Sequence, residues 1–306
     1  MQKVTIIGHG PAGLTAAIYS ARAGLEPLVL SSSAELGQLD QTTDVENFPG
    51  FPEGIMGPDI IVNMHKQAER FGAKFKASHV SEITGSGPYT LKTESGDIET
   101  ETVIVATGAK PRRLGLESEQ KYWGQGVTAC AVCDGFFYKD LEIVVIGGGD
   151  SACEEAIYLT KFASKVTLIH RRDKLRASKV MADKVIAHPQ VDILWNKNVK
   201  EILGNEDDGV TGAILTDSVT NEDSTLNFSG FFLSIGHLPN TDFLDGFLDR
   251  DEEGYVIVQS GSTKTSKEGI FSAGDLSDKV YRQAITAAGQ GCMSAIDAER
   301  YIAEKE

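Results

Sequence analysis

Two stretches of this chain repeat one order of apolar and polar positions. Near the start, Val4-Thr5-Ile6-Ile7 is a short apolar run and Gly8-His9-Gly10-Pro11-Ala12-Gly13 is a glycine-rich turn. Residues 14–23 then carry apolar positions at helical spacing up to Gly24, and Pro27-Leu28-Val29-Leu30 returns to a continuous apolar run. A short apolar run bounded by turn signals predicts a buried strand, and strand–turn–helix–strand predicts the βαβ opening of a doubly wound sheet. In mid-chain the order recurs. Glu142-Ile143-Val144-Val145-Ile146 is the strand, Gly147-Gly148-Gly149-Asp150-Ser151-Ala152 the turn, residues 153–162 the helix and Lys165-Val166-Thr167-Leu168-Ile169 the next strand. The two turns lie far enough apart to belong to separate domains, which predicts an internal duplication of one nucleotide-binding unit.

Between the copies, Thr102-Val103-Ile104-Val105-Ala106-Thr107-Gly108 reads as a buried strand ending in a turn. Residues 196–230 are polar and strand-like, with the acidic and glycine run 204–209 as a hairpin tip. Gly269-Ile270-Phe271-Ser272-Ala273-Gly274-Asp275 is a strand closing on Gly-Asp, followed by a helix over 284–303. That last strand reads as a return to the first domain. The predicted fold class is therefore α/β, with two Rossmann-like three-layer domains, the second inserted into the first. The first takes residues 1–112 and 243–306, and the second takes 113–242. A length of 306 residues suffices for two cores.

A formal net charge of −15 argues against nucleic acid or an anionic membrane as the main partner, because phosphate surfaces are met with basic patches. No apolar run approaches the length of a membrane span, and Met1-Gln2-Lys3 leads straight into a strand with no leader pattern. Four cysteines do not make a disulfide framework, so a reducing cytoplasm is the expected compartment.

Two of those cysteines, Cys130 and Cys133, stand as Cys-Ala-Val-Cys-Asp-Gly between the two glycine turns. A Cys-x-x-Cys pair can close into a small ring and reopen, which suits electron transfer. Half of a zinc site is the alternative, but Cys153 and Cys292 are isolated and no histidine pair has ligand spacing, so no metal is expected. Asp134, directly after the second cysteine, supplies a group that can take and return a proton during thiol exchange.

The glycine turns carry a second chemistry. Gly8, Gly10 and Gly13 follow a strand and open a helix, the context in which such glycines admit a pyrophosphate to the helix N-terminus. Pro11 and Ala12 lie within that turn, and His9 is expected to face solvent. In the second turn, Gly147, Gly148 and Gly149 with Asp150 and Ser151 precede Ala152, which stands where the last glycine is usual. The strand after it runs into His170-Arg171-Arg172 and Arg176, where a site for NAD would have an acid. Arginines there suit the 2′-phosphate of NADPH, against the alternative of a merely exposed basic segment. The first unit lacks such a cluster in Ser31-Ser32-Ser33-Ala34-Glu35, and FAD is its candidate, since a hydride donor and a disulfide need a two-electron relay. Thr107 and Gly108, with Gly274 and Asp275, end strands where they could touch that cofactor, Asp275 at its ribityl hydroxyls.

Taken together these residues resemble the low-molecular-weight thioredoxin reductases. The likeness runs through Gly8 to Gly13, Gly37-Gln38-Leu39, Asp44-Val45-Glu46-Asn47-Phe48-Pro49-Gly50-Phe51, Cys130 to Gly135, His170 to Arg172, Gly236-His237-Leu238-Pro239-Asn240-Thr241 and Tyr281-Arg282-Gln283-Ala284-Ile285-Thr286. It covers nearly the whole chain. It implies an FAD-containing homodimer that carries electrons from NADPH to the disulfide and on to thioredoxin. It further implies that Cys133 faces the flavin, that Cys130 attacks the thioredoxin disulfide, and that Asp134 serves both as proton donor and acceptor. Gln38, Asn47, Asp275, Arg282, Gln283 and Ala284 match flavin-contacting positions, and Arg171, Arg172 and Arg176 match the phosphate clamp. The resemblance also implies a rotation of the inserted domain about linkers near Pro111-Arg112-Arg113 and Thr241-Asp242.

The sequence departs from that family at His9, which replaces a small residue, at Leu36, where a glycine is usual, and in a shortened 31–39 segment. Rival readings keep the fold and change the donor or acceptor: a peroxiredoxin-reducing enzyme, a ferredoxin-dependent one or a dithiol oxidase. The last two usually lack the arginine cluster. A non-enzymatic flavoprotein redox sensor is opposed by the intact cysteine pair with its adjacent acid.

Overall fold

The structure, a computed structural model, describes residues 1–32 and 37–305; positions 33–36, and with them the departure at Leu36, lie outside it. The chain forms two compact units, residues 1–110 with 238–306, and residues 111–237. Both are α/β units built on parallel strands, and the second interrupts the first.

In the first unit, strands Gln2–Ile7, Leu28–Ser31, Lys74–Ala77 and Ile98–Val105 run parallel, in the spatial order 74–77, 28–31, 2–7, 98–105. Register is set by pairs such as Ile6 with Val29 and Ile6 with Ile104. The strand Ile98–Val105 is shared. Its first half pairs antiparallel with Tyr89–Thr93, and its second half pairs parallel with Ile270–Ser272. The late strand thus returns to the first sheet as expected.

Alternate residues serve opposite faces. Val4, Ile6, Val29, Ile104 and Phe271 meet helices Pro11–Arg22 and Ala284–Ala303, while Ile7, Leu30, Val103, Val105 and Ile270 meet the 80–93 hairpin and residues 244–256. Burial on both faces is why these strands read as unbroken apolar runs. The two helices touch closely, because a Cβ at Gly291 would run into the Ala12 carbonyl.

The second unit repeats this plan. Strands Val127–Thr128, Gly230–Ser234, Glu142–Gly147, Lys165–Ile169 and Val191–Leu194 form a parallel sheet in that spatial order. Helices Asp150–Leu159 and Lys179–Ile186 cover one face. The antiparallel strands Lys197–Asn205, Gly209–Asp217 and Asp223–Asn227 cover the other. The polar 196–230 stretch is therefore a three-stranded layer, with its first turn at 206–208 as the acidic tip.

The crossings fall at 110/111 and 237/238, where the sequence reading places them at 112/113 and 242/243. Asn240 is already bonded into the first unit: its N–H donates to the Gly108 carbonyl (2.9 Å) and its Nδ2 to the Thr107 carbonyl (2.8 Å). Thr241 Oγ1 likewise donates to the Gly254 carbonyl (2.8 Å). Arg112 N–H instead donates to the Gly236 carbonyl (2.9 Å) and stays with the second unit. Composition gives no sign of bonds made across 133 residues of chain. Among the described residues no helix is long and apolar enough to cross a membrane.

Candidate active site

The Cys-x-x-Cys pair occupies one turn of helix, Ala131–Asp134, capped by Cys130, whose sulfur accepts from the Cys133 N–H (3.3 Å). The two sulfurs are bonded, with the Cα atoms 5.3 Å apart. Intervening Ala131 is buried among Ala152, Cys153 and Ala156 of the Asp150–Leu159 helix, while Val132 is exposed. Gly135 packs closely at the end of the same helix, since a Cβ there would press on the Leu159 side chain (2.9 Å) and, just beyond the helix, on the Phe162 ring (3.2 Å). The small residues of the motif therefore seat the disulfide against the helix that begins at the second glycine turn.

Asp134 is half-buried beside this pair. Its N–H donates to the Cys130 carbonyl (3.1 Å), and its carboxylate accepts from Thr128 Oγ1. Burial raises its pKa, and the Thr128 hydrogen bond opposes part of that rise. Burial and the neighbouring Asp134 also push the Tyr138 hydroxyl up to about 12, which keeps it protonated. Cys153 is no rival nucleophile: burial, then Asp150 and Glu154, push its thiol up to about 11.

The second glycine turn lies at the C-terminal end of strand Glu142–Gly147, where doubly wound folds bind ligands. A Cβ at Gly147 would strike the Ser234 carbonyl and one at Gly148 the His170 ring, but one at Gly149 would meet nothing within 4 Å. Asp150 Oδ1 is held by Ser178 through its N–H (3.0 Å) and hydroxyl (2.7 Å), and Ser151 is exposed on the first turn of the helix. Arg171, Arg172 and Arg176 are exposed and make no ion pair among the described residues, although acids outnumber bases 44 to 29 in this chain. An unneutralised guanidinium cluster beside a glycine turn with an open Cβ position fits the phosphates of a dinucleotide.

The first unit gathers the other candidates at the same end of its sheet. Gly8 has φ +115°, and a Cβ on it would strike the Ala106 carbonyl; one on Gly13 would strike the Gly8 carbonyl. At Gly10 a Cβ would meet nothing within 4 Å, as at Gly149. Gly10 caps helix Pro11–Arg22 without any side-chain cap, and no acid lies in the first turn, so N–H groups at this end remain for an anion.

Gln38 Nε2 donates to the Ala109 carbonyl (2.8 Å) and to Asp275 Oδ2 (3.2 Å). Burial, then the Asp278 charge, push Asp275 up to about 6, against the pull of Arg282 and Gln38. Asn47 Nδ2 donates to Gln283 Oε1 (3.4 Å), and Gln283 caps the helix that starts at Ala284. Gly274 and Gly108 have positive φ, and Gly274 packs on Ala12. Uncapped helix N–H groups, a half-buried carboxyl and several amides at this end of the sheet suit a cofactor that is phosphate at one end and hydroxylated beyond it.

Three side chains have partners that the sequence did not indicate. His9 does not simply face solvent, for its Nε2 lies 3.5 Å from Asp40 Oδ2, which also accepts from the Gly37 N–H. Thr107 spends its hydroxyl on the Asn240 carbonyl (2.8 Å) and so holds the returning crossing. His170 is buried with both ring nitrogens against main-chain carbonyls. The reading also missed Thr128, Asp278 and Gln290. Gln290 Oε1 accepts from the Gly274 N–H (2.7 Å), and Asp278 Oδ1 accepts from Val280 N–H and Tyr281 N–H (both 2.9 Å). Only Thr128 left a sequence signal, as a hydroxyl two positions before the motif.

Comparison with known proteins agrees with this geometry. Residues 2–291 match the family model described as pyridine nucleotide-disulphide oxidoreductase. The chain is 51% identical to a thioredoxin reductase of Streptomyces clavuligerus, covering 99% of this chain and 94% of that one. It is 48% identical to a thioredoxin reductase of Rickettsia conorii, covering 98% of each. The solved thioredoxin reductase of Giardia duodenalis superposes with a TM-score of 0.94 at 42% identity, over 98% of each chain. With a bonded Cys-x-x-Cys pair, a half-buried carboxyl and two glycine turns in place, the chain belongs to the pyridine nucleotide-disulphide oxidoreductases, and among them to the thioredoxin reductases.

Proposed function

We propose that this thioredoxin reductase uses NADPH and FAD to reduce its own Cys130–Cys133 disulfide and, with the resulting dithiol, the disulfide of an oxidised thioredoxin. The first unit would hold FAD. Gly8, Gly10, Pro11, Ala12 and Gly13 would lie under its pyrophosphate, Asp275 at its ribityl hydroxyls, and Gln38, Asn47, Thr107, Gly108, Gly274, Arg282, Gln283 and Ala284 around the remainder. The second unit would hold NADPH, with Gly147, Gly148, Gly149, Asp150 and Ser151 at the pyrophosphate and Arg171, Arg172 and Arg176 at the 2′-phosphate. When bound, FAD supplies the two-electron exchange that joins a hydride donor to a dithiol.

The chain's own residues perform the thiol chemistry. Cys130, as thiolate, attacks one sulfur of the thioredoxin disulfide; the Cys130–thioredoxin bond forms as the partner's S–S bond breaks. Cys133 then attacks Cys130, closing the internal disulfide and releasing the partner as a dithiol. Asp134 takes the proton from the attacking thiol and returns one to the leaving sulfur. The half-buried carboxyl suits this work, because its raised pKa brings it nearer to neutral pH than an ordinary aspartate. A cytoplasmic homodimer is the assembly that the family resemblance and the sparse cysteine usage support.

The observation that carries the reading is the bonded Cys130–Cys133 pair beside Asp134, seated on the helix that opens at Gly149. The purified yellow protein should bleach anaerobically with NADPH and far less with NADH. Cys130→Ser should keep that bleaching and lose thioredoxin turnover. Turnover that survives the substitution removes Cys130 as nucleophile, and colourless protein after FAD reconstitution removes the whole scheme.

A further inference from the structure

His170 directly follows strand Lys165–Ile169 and is only 5% exposed. Its Nδ1 lies 2.8 Å from the carbonyl of Gly147, in the glycine turn. Its Nε2 lies 2.9 Å from the carbonyl of Lys174, in the loop that carries Arg171, Arg172 and Arg176. The ring also stands against Gly148, where an added Cβ would overlap it, and meets the edge of Trp195 with centroids 6.2 Å apart. Gly148 in turn accepts main-chain hydrogen bonds from Arg176 (2.6 Å) and Ala177 (3.1 Å). One imidazole is therefore wedged between the two segments that the nucleotide would touch, and both its nitrogens are already engaged by main chain.

We propose that His170 is a positioning residue: it fixes the glycine turn and the arginine loop relative to each other, and so sets binding at the pyrophosphate and at the 2′-phosphate together. This rests on the reading that the second unit holds NADPH. It assigns His170 a role different from that of the arginines beside it, whose side chains are exposed and unpaired among the described residues.

Titration calorimetry on the full-length flavoprotein separates these roles, with 2′,5′-ADP and 5′-ADP as probes. His170→Asn should raise both dissociation constants by a similar factor, roughly tenfold for the loss of the ring as a spacer and of a hydrogen bond. Arg171→Ala with Arg172→Ala should weaken 2′,5′-ADP alone. His170→Gln, whose single amide can reach only one of the two carbonyls, should weaken both probes in parallel but less, and decides the matter if His170→Asn does not fold. Weakening of 2′,5′-ADP alone in His170→Asn makes the ring a direct phosphate ligand and overturns the proposal. A lowered Tm with both constants unchanged reduces His170 to a core residue and overturns it equally. Wild-type protein that binds neither probe retracts the NADPH site itself.

Discussion

Thr128 Oγ1 donates its hydrogen to Asp134 Oδ2 and accepts one from the Cys130 N–H, 3.1 Å away. One hydroxyl thus joins the main chain of the cysteine proposed to attack to the carboxyl proposed to move its proton. Burial raises the Asp134 pKa, and this hydrogen bond is what opposes it. Thr128→Val leaves the burial unopposed, so Asp134 ionises only at higher pH. The acid limb of kcat/KM for thioredoxin reduction should then move to higher pH, with Thr128→Ser restoring it. Superimposable pH profiles for all three proteins would remove Thr128 from the chemistry.

Asp134 itself should matter only after the disulfide has been reduced. Asp134→Asn is expected to lower thioredoxin turnover by roughly a hundredfold, the usual scale of a lost acid–base group. Anaerobic bleaching by NADPH should be unaffected. Stopped-flow absorbance and a steady-state assay on the same preparation separate the two half-reactions.

The glycines of the first turn should divide into two kinds. Gly8→Ala and Gly13→Ala place a Cβ against the carbonyls of Ala106 and Gly8, and Gly8 is also at φ +115°, so both should lower Tm sharply or prevent folding. Gly10→Ala meets no protein atom within 4 Å and has ordinary extended backbone, so Tm of the cofactor-free chain should change little. Its FAD content should nevertheless fall, which absorbance at the flavin band measures. Full flavin occupancy in Gly10→Ala would place the pyrophosphate elsewhere.

Asp275 carries a cost that the fold alone does not need. Its folded-state pKa, pushed up to about 6, lies above the ordinary aspartate value of 3.8, so the folded chain binds more protons between those limits. Its contribution to stability is therefore present below about pH 4 and lost as pH rises toward 6. In the cofactor-free chain Asp275→Asn should flatten this fall and add roughly 2–3 kcal/mol at pH 7. Chemical denaturation at pH 4, 5, 6 and 7 tests the slope. The same variant should bind FAD more weakly, as expected where a destabilising carboxyl serves a ligand.

Much of the site could be seen in the sequence because its parts are local. Cys130 to Gly135, Gly8 to Gly13 and Gly147 to Ala152 each fit on one turn, and each is compact enough for spacing alone to mark it as a candidate. Small residues at Ala131 and Gly135 could be seen but not explained, since their reason is the later helix that begins at Asp150. Asn240 marks the opposite limit. Its side chain and main chain close onto Thr107 and Gly108, so the crossing comes earlier than a composition-based boundary suggests.

From its residues alone the chain determined the strand–turn–helix order, its duplication, the cysteine couple and the arginine cluster, because periodicity and spacing act over a few residues. Only the tertiary structure decided which glycines are fixed by packing and which face open space. It also decided that Thr128 bridges Cys130 and Asp134, and that His170 faces carbonyls rather than solvent. Those facts depend on which atoms arrive from distant segments, and neither hydrogen-bond direction nor steric contact between such segments is written in local sequence.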